Sequence, residues 1–228
     1  MTARLVRFDP VLPDPRVLLR AAAMIRHGGL VAHPTETFYG LAADPFNAEA
    51  VARLGEVKER EASQACILII PHTEAAHDLA RIEGAAHIWF SRLTRAFWPG
   101  PLTLVLTARR GLRCPALGRG ETVAVRLSPH PVAIRLVRAV GAPITSTSAN
   151  RKGEAPPTRA DALDPAVADR VDLIVDGGTT PGGLPSTLLD LSGERPVVVR
   201  AGAVEAEAIA AVLGFPPAPL LVLPGPGT

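Results

Sequence analysis

Three strand-like segments follow one another near residues 172–176, 187–191 and 196–200, with no helical periodicity between them. Parallel neighbours need a long crossover, usually a helix, whereas antiparallel neighbours need only a short turn. This stretch therefore argues against a purely parallel, doubly wound sheet and for a mixed one. Upstream, helices and strands intermingle. Residues 14–28 predict a helix that Asp14 can cap, Pro15 can open and Gly28 can end. Leu30-Val-Ala predicts a short strand running into a loop at Pro34. Residues 47–58 predict a helix with Ala50, Val51, Leu54 and Val57 as its buried stripe. Cys66-Ile-Leu-Ile-Ile70 is apolar throughout, as an interior strand is.

Further helices are predicted over 85–97 and 131–140, a weaker one over 160–169, and a last one near 204–213. Residues 102–107 and 122–127 predict strands, and 143–148 a strand with a polar end. Phe215 to Thr228 holds five prolines and no helical pattern. The chain thus divides into one domain, residues 1–213, and a Pro/Gly-rich tail, residues 214–228. No internal repeat is visible.

At 228 residues with 47% hydrophobic residues, the domain can bury a core without disulfides or metals. Two cysteines make no disulfide framework. The net charge of +2 gives little support to a general nucleic-acid or membrane role. No apolar run reaches the ~18 residues of a membrane span, and the first residues carry no apolar signal segment. A cytoplasmic, reduced setting is the expectation. No histidine pair has metal-ligand spacing, and neither a P-loop nor a dinucleotide fingerprint is present.

The chain uses Arg 22 times and Lys twice, and it has two asparagines and one tyrosine. Most of these rare residues gather in three polar motifs. His33-Pro-Thr-Glu-Thr-Phe-Tyr-Gly40 follows a strand and offers Thr35, Thr37 and Tyr39 hydroxyls to a small polar ligand. Lys58-Glu59-Arg60 reads either as a solvated helix end or, with the backbone extended, as two cations on one face suited to a polyphosphate. Ser146-Thr147-Ser148-Ala149-Asn150 sets Ser146, Ser148 and Asn150 on one face if it stays extended, with Thr147 and Ala149 turned away. Strand ends in α/β sheets are frequent ligand sites. Arg126, at the polar end of 122–127, can reach an anion.

In this order, together with Trp98-Pro-Gly-Pro-Leu-Thr103, Val123-Ala-Val-Arg126, the Gly177-Gly178 loop, Ser186-Thr187-x-x-Asp190 and Arg200-Ala-Gly202, these motifs resemble the YrdC-like family of threonylcarbamoyl-AMP synthases. The resemblance runs from about Leu30 to Gly202. It implies an α/β fold in which a twisted mixed parallel/antiparallel sheet, flanked by helices, surrounds a deep, positively lined cavity. It implies conversion of L-threonine, bicarbonate and ATP, with Mg²⁺, to threonylcarbamoyl-AMP and pyrophosphate, and use of the product by a separate transferase to modify an adenosine of tRNA. Lys58 and Arg60 would be catalytic. With Ser148, Asn150 and Arg200 they would form the ATP side, and Thr35, Tyr39, Arg126 and Ser146 would hold threonine. Glu61 and Ala65 stand where the family usually has prolines, and Arg151-Lys152-Gly153 replaces its x-Ser-Gly. Two other readings compete. One is a non-catalytic relative that binds nucleotide or RNA, and the other an enzyme activating a different carbamoyl compound.

Overall fold

The computed structural model describes residues 4–9, 13–59, 65–117 and 120–219. Its strands are β1 (Arg4–Arg7), β2 (Val31–Pro34), β3 (Tyr39–Ala42), β4 (Ile67–Ile69), β5 (Leu102–Thr107), β6 (Thr122–Arg126), β7 (Ile144–Thr145), β8 (Thr147–Ser148), β9 (Leu173–Asp176), β10 (Thr187–Asp190), β11 (Val197–Arg200) and β12 (Ala218–Pro219). Its helices are α1 (Pro15–Arg26), α2 (Ala48–Val57), α3 (Ala76–Leu79), α4 (Gly84–Phe97), α5 (Pro131–Val140), α6 (Pro165–Ala168) and α7 (Ala206–Leu213).

Local chemistry sets the helix ends. The Asp14 carboxylate accepts from Arg16 N at 2.9 Å, and Pro15 opens α1. Asn47 accepts from Ala50 N at 3.1 Å to start α2. The His130 ring accepts from Val132 N at 3.2 Å, and Gly141 at φ 77° ends α5 in left-handed backbone, which costs glycine no Cβ strain.

The strands form two mixed sheets, ordered β1-β9-β2-β3-β8 and β12-β11-β10-β5-β6-β4-β7. In the first, β2 runs parallel to β9 and antiparallel to β3, with His33 opposite Gly40. In the second, β10 is parallel to β5 and antiparallel to β11, and β6 is antiparallel to β5 and parallel to β4. The consecutive late strands therefore do produce mixed pairing, although β9 joins one sheet while β10 and β11 join the other.

Side chains on the two faces of β2 and β3 enter two cores, as the period of a strand requires. Val31 and Ala42 meet Ile25 of α1 and Val137 of α5 in one core. Ala32, Tyr39 and Leu41 join Leu68, Leu104 and Val125 of the second sheet in the other. Each fully buried aliphatic side chain contributes roughly 1.5–3 kcal/mol of transfer free energy.

Four expectations change. Tyr39–Ala42, expected within a loop, is a fully buried strand, because its hydrogen bonds go to β2 and β8. Residues 143–148 are not one strand: β7 pairs with β4 in the second sheet and β8 with β3 in the first. The expected helix over 160–169 is a 3₁₀ turn, Ala160–Ala162, followed by the four-residue α6. At the start of the tail, β12 pairs in parallel with Val197 and Val198 of β11. Residues 220–228 lie outside the described residues.

Candidate active site

A cavity of about 580 Å³ is walled by residues of both sheets. Tyr39, Gly40, Thr147 and Ser148 come from the first sheet. Ile67, Val105, Thr122, Ala124, Arg126, Leu188 and Arg200 come from the second, and Thr35, Ser146, Gly183, Pro185 and Ser186 come from the connections. Seven residues singled out in the sequence as ligand contacts meet here: Thr35, Thr37, Tyr39, Arg126, Ser146, Ser148 and Arg200.

The chain crosses between sheets at Ser146. Thr145 hydroxyl donates to Leu41 O at 3.1 Å, and Ser146 N donates to Ile67 O at 2.8 Å. Ala149 N then donates to Tyr39 O at 2.8 Å. One short segment is thereby bonded to β3 and to the start of β4. The expected alternation of faces fails at Thr147, which also borders the cavity, because the backbone changes sheet instead of staying extended. Gly40 lets this seam close. A Cβ there would stand 2.9 Å from Ser146 Oγ.

Arg126 is the buried cation of the site, 4% exposed and ion-paired through Nη1 to Glu36 Oε1 at 2.9 Å. Its Nε has no hydrogen-bond acceptor among the described residues. Burial lowers its pKa, and the Glu36 charge opposes that shift. Arg200 donates from Nη2 to Ser186 O at 2.9 Å and to Ser186 Oγ at 3.2 Å. Its pKa is lowered by desolvation and by the nearby Arg126 charge. Two guanidinium groups sharing a cavity with one paired carboxylate behind them make an anion site.

The motif hydroxyls are already engaged. Thr35 Oγ1 donates to Phe38 O at 2.7 Å and accepts from Phe38 N at 3.3 Å, holding the β2–β3 turn. The Tyr39 hydroxyl donates to Gly178 O at 2.7 Å and stands 3.3 Å from Asp176 Oδ1. Burial, and then the Asp176 charge, raises its pKa, so it stays a donor. The Thr35 hydroxyl also accepts from Thr37 N at 3.2 Å and is fully committed to the turn, whereas the Tyr39 hydroxyl keeps lone pairs.

Lys58 and Asn150 adjoin the cavity wall through Ser148. Lys58 is buried, and its ammonium donates to Ser148 O at 2.6 Å, to Asn150 O, and to Asn150 Oδ1 at 3.1 Å. Asn150 Nδ2 donates to Glu154 O at 2.6 Å. The backbone at Lys58 is helical (φ −85°, ψ −4°) and Glu59 is left-handed (φ 49°), so the extended Lys-x-Arg segment considered from the sequence does not form at these two residues. Arg60 and Glu61 lie outside the described residues. Arg151 pairs with Glu59 at 2.9 Å and with Glu154 at 3.7 Å.

Sequence reasoning assigned no individual role to Glu36, Ser128, Asp176 or Ser186, each of which holds a cavity residue or its neighbour. The signal for Glu36 was present: it is the one acid in the 33–40 motif, and a buried acid needs a partner. No helix of the described residues is long and apolar enough to cross a membrane.

A family model for Sua5, YciO and YrdC, described as telomere recombination, matches residues 23–202. The threonylcarbamoyl-AMP synthase of Bacillus subtilis (strain 168) is 39% identical over 202 residues, covering 88% of this chain and 57% of that protein. The threonylcarbamoyl-AMP synthase of Xanthomonas campestris pv. campestris (strain B100) is 39% identical over 177 residues, covering 77% of this chain and 90% of that one. Among solved structures, P. abyssi Sua5 complexed with L-threonine matches with a TM-score of 0.87 at 34% identity, covering 99% of this chain and 65% of that one. E. coli YciO matches with a TM-score of 0.81 at 24% identity, which speaks to the fold. The chain spans just over half the length of the Bacillus subtilis and Pyrococcus abyssi relatives, 57% and 56%.

Proposed function

The chain belongs to the Sua5/YciO/YrdC family, and from that premise we propose that it is an L-threonylcarbamoyladenylate synthase, a nucleotidyltransferase. It would convert L-threonine, bicarbonate and ATP to threonylcarbamoyl-AMP, pyrophosphate and water. The observation that carries this reading is the meeting of Arg126 and Arg200 with Thr35, Tyr39, Ser146 and Ser148 in one cavity. P. abyssi Sua5 has been solved with L-threonine bound, and this cavity offers a zwitterionic amino acid a buried guanidinium and ordered hydroxyls.

The chemistry asks for a closed site. The carbamate formed from threonine and bicarbonate decomposes in water, so it must be held beside ATP until its oxygen attacks the α-phosphorus. Arg126 and Ser146 would hold threonine, with Thr35 and Tyr39 shaping the wall. Arg200 and Ser148 would face the nucleotide, with Asn150 and Lys58 bracing that edge and Arg60 following in sequence. Negative charge grows on the departing pyrophosphate, and fixed cations stabilise it. No side chain need act as a nucleophile.

Magnesium would come with ATP, held chiefly by the phosphates. Among the described residues no three His, Cys, Asp or Glu side chains converge to hold a metal. The product would pass to a cytoplasmic transferase acting on tRNA, with at most weak RNA contact by this chain.

Pyrophosphate release, measured with ATP, Mg²⁺ and bicarbonate and with or without L-threonine, tests the proposal. Release that needs both threonine and bicarbonate is the expected result. ATP binding without such release would instead fit a relative that kept the cavity and lost the chemistry.

A further inference from the structure

Arg126 is the only buried guanidinium among the described residues, and a buried cation held on one side alone would swing between its partners. What holds it is a chain of contacts that starts outside the cavity. His130 N, at the start of α5, donates to Ser128 Oγ at 3.2 Å. The Ser128 hydroxyl in turn donates to Glu36 Oε2. Glu36 Oε1 stands 2.9 Å from Arg126 Nη1. Ser128 is fully buried, and the Glu36 side chain is 10% exposed.

Each link is oriented by the one before it. The serine hydroxyl has its proton and a lone pair both committed, so its direction is fixed. One carboxylate oxygen is thereby tied to the backbone that begins α5, and the other meets the guanidinium as an ion-pair contact without hydrogen-bond geometry. Glu36 itself does not border the cavity, whereas Arg126 does. Arg126 Nε is buried and has no acceptor among the described residues, so the guanidinium meets the cavity through its other atoms.

Resting on the synthase reading above, we infer that Glu36 is a positioning residue: anchored by Ser128, it fixes the angle at which Arg126 presents its guanidinium to the carboxylate of threonine. Charge balance alone would need a carboxylate somewhere nearby. The Ser128–Glu36 link adds direction, and direction is what a planar fork requires. A structural ion pair and a positioning pair therefore separate when the link is cut and the charges are kept.

Ser128→Ala does that. The expected result is a threonine KM raised roughly tenfold, the loss of about one charge-assisted hydrogen bond's worth of order, with the ATP KM within about twofold of wild type. Glu36→Gln, which also removes the charge, should raise the threonine KM further, to roughly a hundredfold. If it does not fold, Ser128→Ala carries the test. Threonine and ATP constants that move together, or neither moving in Ser128→Ala, would overturn the inference. L-threonine binding by calorimetry of the same proteins gives a readout that does not depend on turnover. Wild type that binds threonine without turning over removes the synthase reading, and the variants' affinities still decide the positioning role. Wild type that neither binds threonine nor releases pyrophosphate removes both.

Discussion

The Lys58 ammonium lies 2.6 Å from the carbonyl oxygen of Ser148. A residue that the sequence offers as a phosphate cation thus ties the end of α2 to the polar edge of the cavity. Lys58→Ala would leave the Ser148 and Asn150 carbonyls short of a donor, at a cost of about 1–3 kcal/mol for each buried group left unpaired. For a chain of this size each kcal/mol is worth roughly 2–4 °C in Tm. We expect the variant to lose turnover and to melt several degrees lower. Thermal unfolding measured beside activity checks this, and lost turnover with an unchanged Tm would return Lys58 to a purely chemical role.

Tyr39→Phe removes the hydroxyl that donates to Gly178 O at 2.7 Å. The expected cost is about 1 kcal/mol of stability, with threonine KM raised less than in Ser128→Ala. A threonine KM that rises more than tenfold at unchanged Tm would mean the hydroxyl serves the ligand first.

Stability should fall on the acid side. His33 is fully buried, and burial pushes its pKa from 6.5 down to about 4. The folded state keeps this ring neutral, so the unfolded chain binds the extra proton. Stability from this group is complete above pH 6.5, declines as pH falls, and levels off below about 4. The total is about 3 kcal/mol. His130, also lowered by burial, acts in the same direction. Denaturant midpoints at pH 7.5 and 4.5 should differ in that sense, and His33→Gln should shrink the difference. An equal slope in wild type and variant would reject the assignment.

Gly40→Ala would place a Cβ 2.9 Å from Ser146 Oγ. That is closer than a methyl group tolerates, and Ser146 belongs to the seam between the sheets. The expected outcome is a loss of about 1–3 kcal/mol from overpacking and a turnover reduced at least tenfold. Wild-type kinetics in this variant would show that the seam yields freely.

Much of this architecture is legible in the sequence because its signals are local. Asp14 with Pro15, and Pro131 with Gly141, announce their helices through caps that need no tertiary partner. Cys66–Ile70 reads as an interior strand from apolar content alone. Other features depend on contacts between distant residues. Tyr39–Ala42 follows Pro34 and contains Gly40, so it reads as loop until β2 and β8 supply its hydrogen bonds. The sheet change at Ser146 leaves no trace in a run of small polar residues. The cavity residues were legible as types in motifs, but Glu36 and Ser128 take their meaning from Arg126, about 90 positions away from Glu36 in the chain.

The crossing at Ser146 has a dimensional consequence. Thr145 pairs within one sheet and Thr147 within the other, so at that edge the two layers are spaced by two peptide links, each about 3.8 Å between successive Cα atoms. A loop would give the gap a range of widths; covalent geometry gives it a gauge. The wall of the cavity at Ser146 therefore takes its tolerance from bond lengths instead of side-chain adjustment.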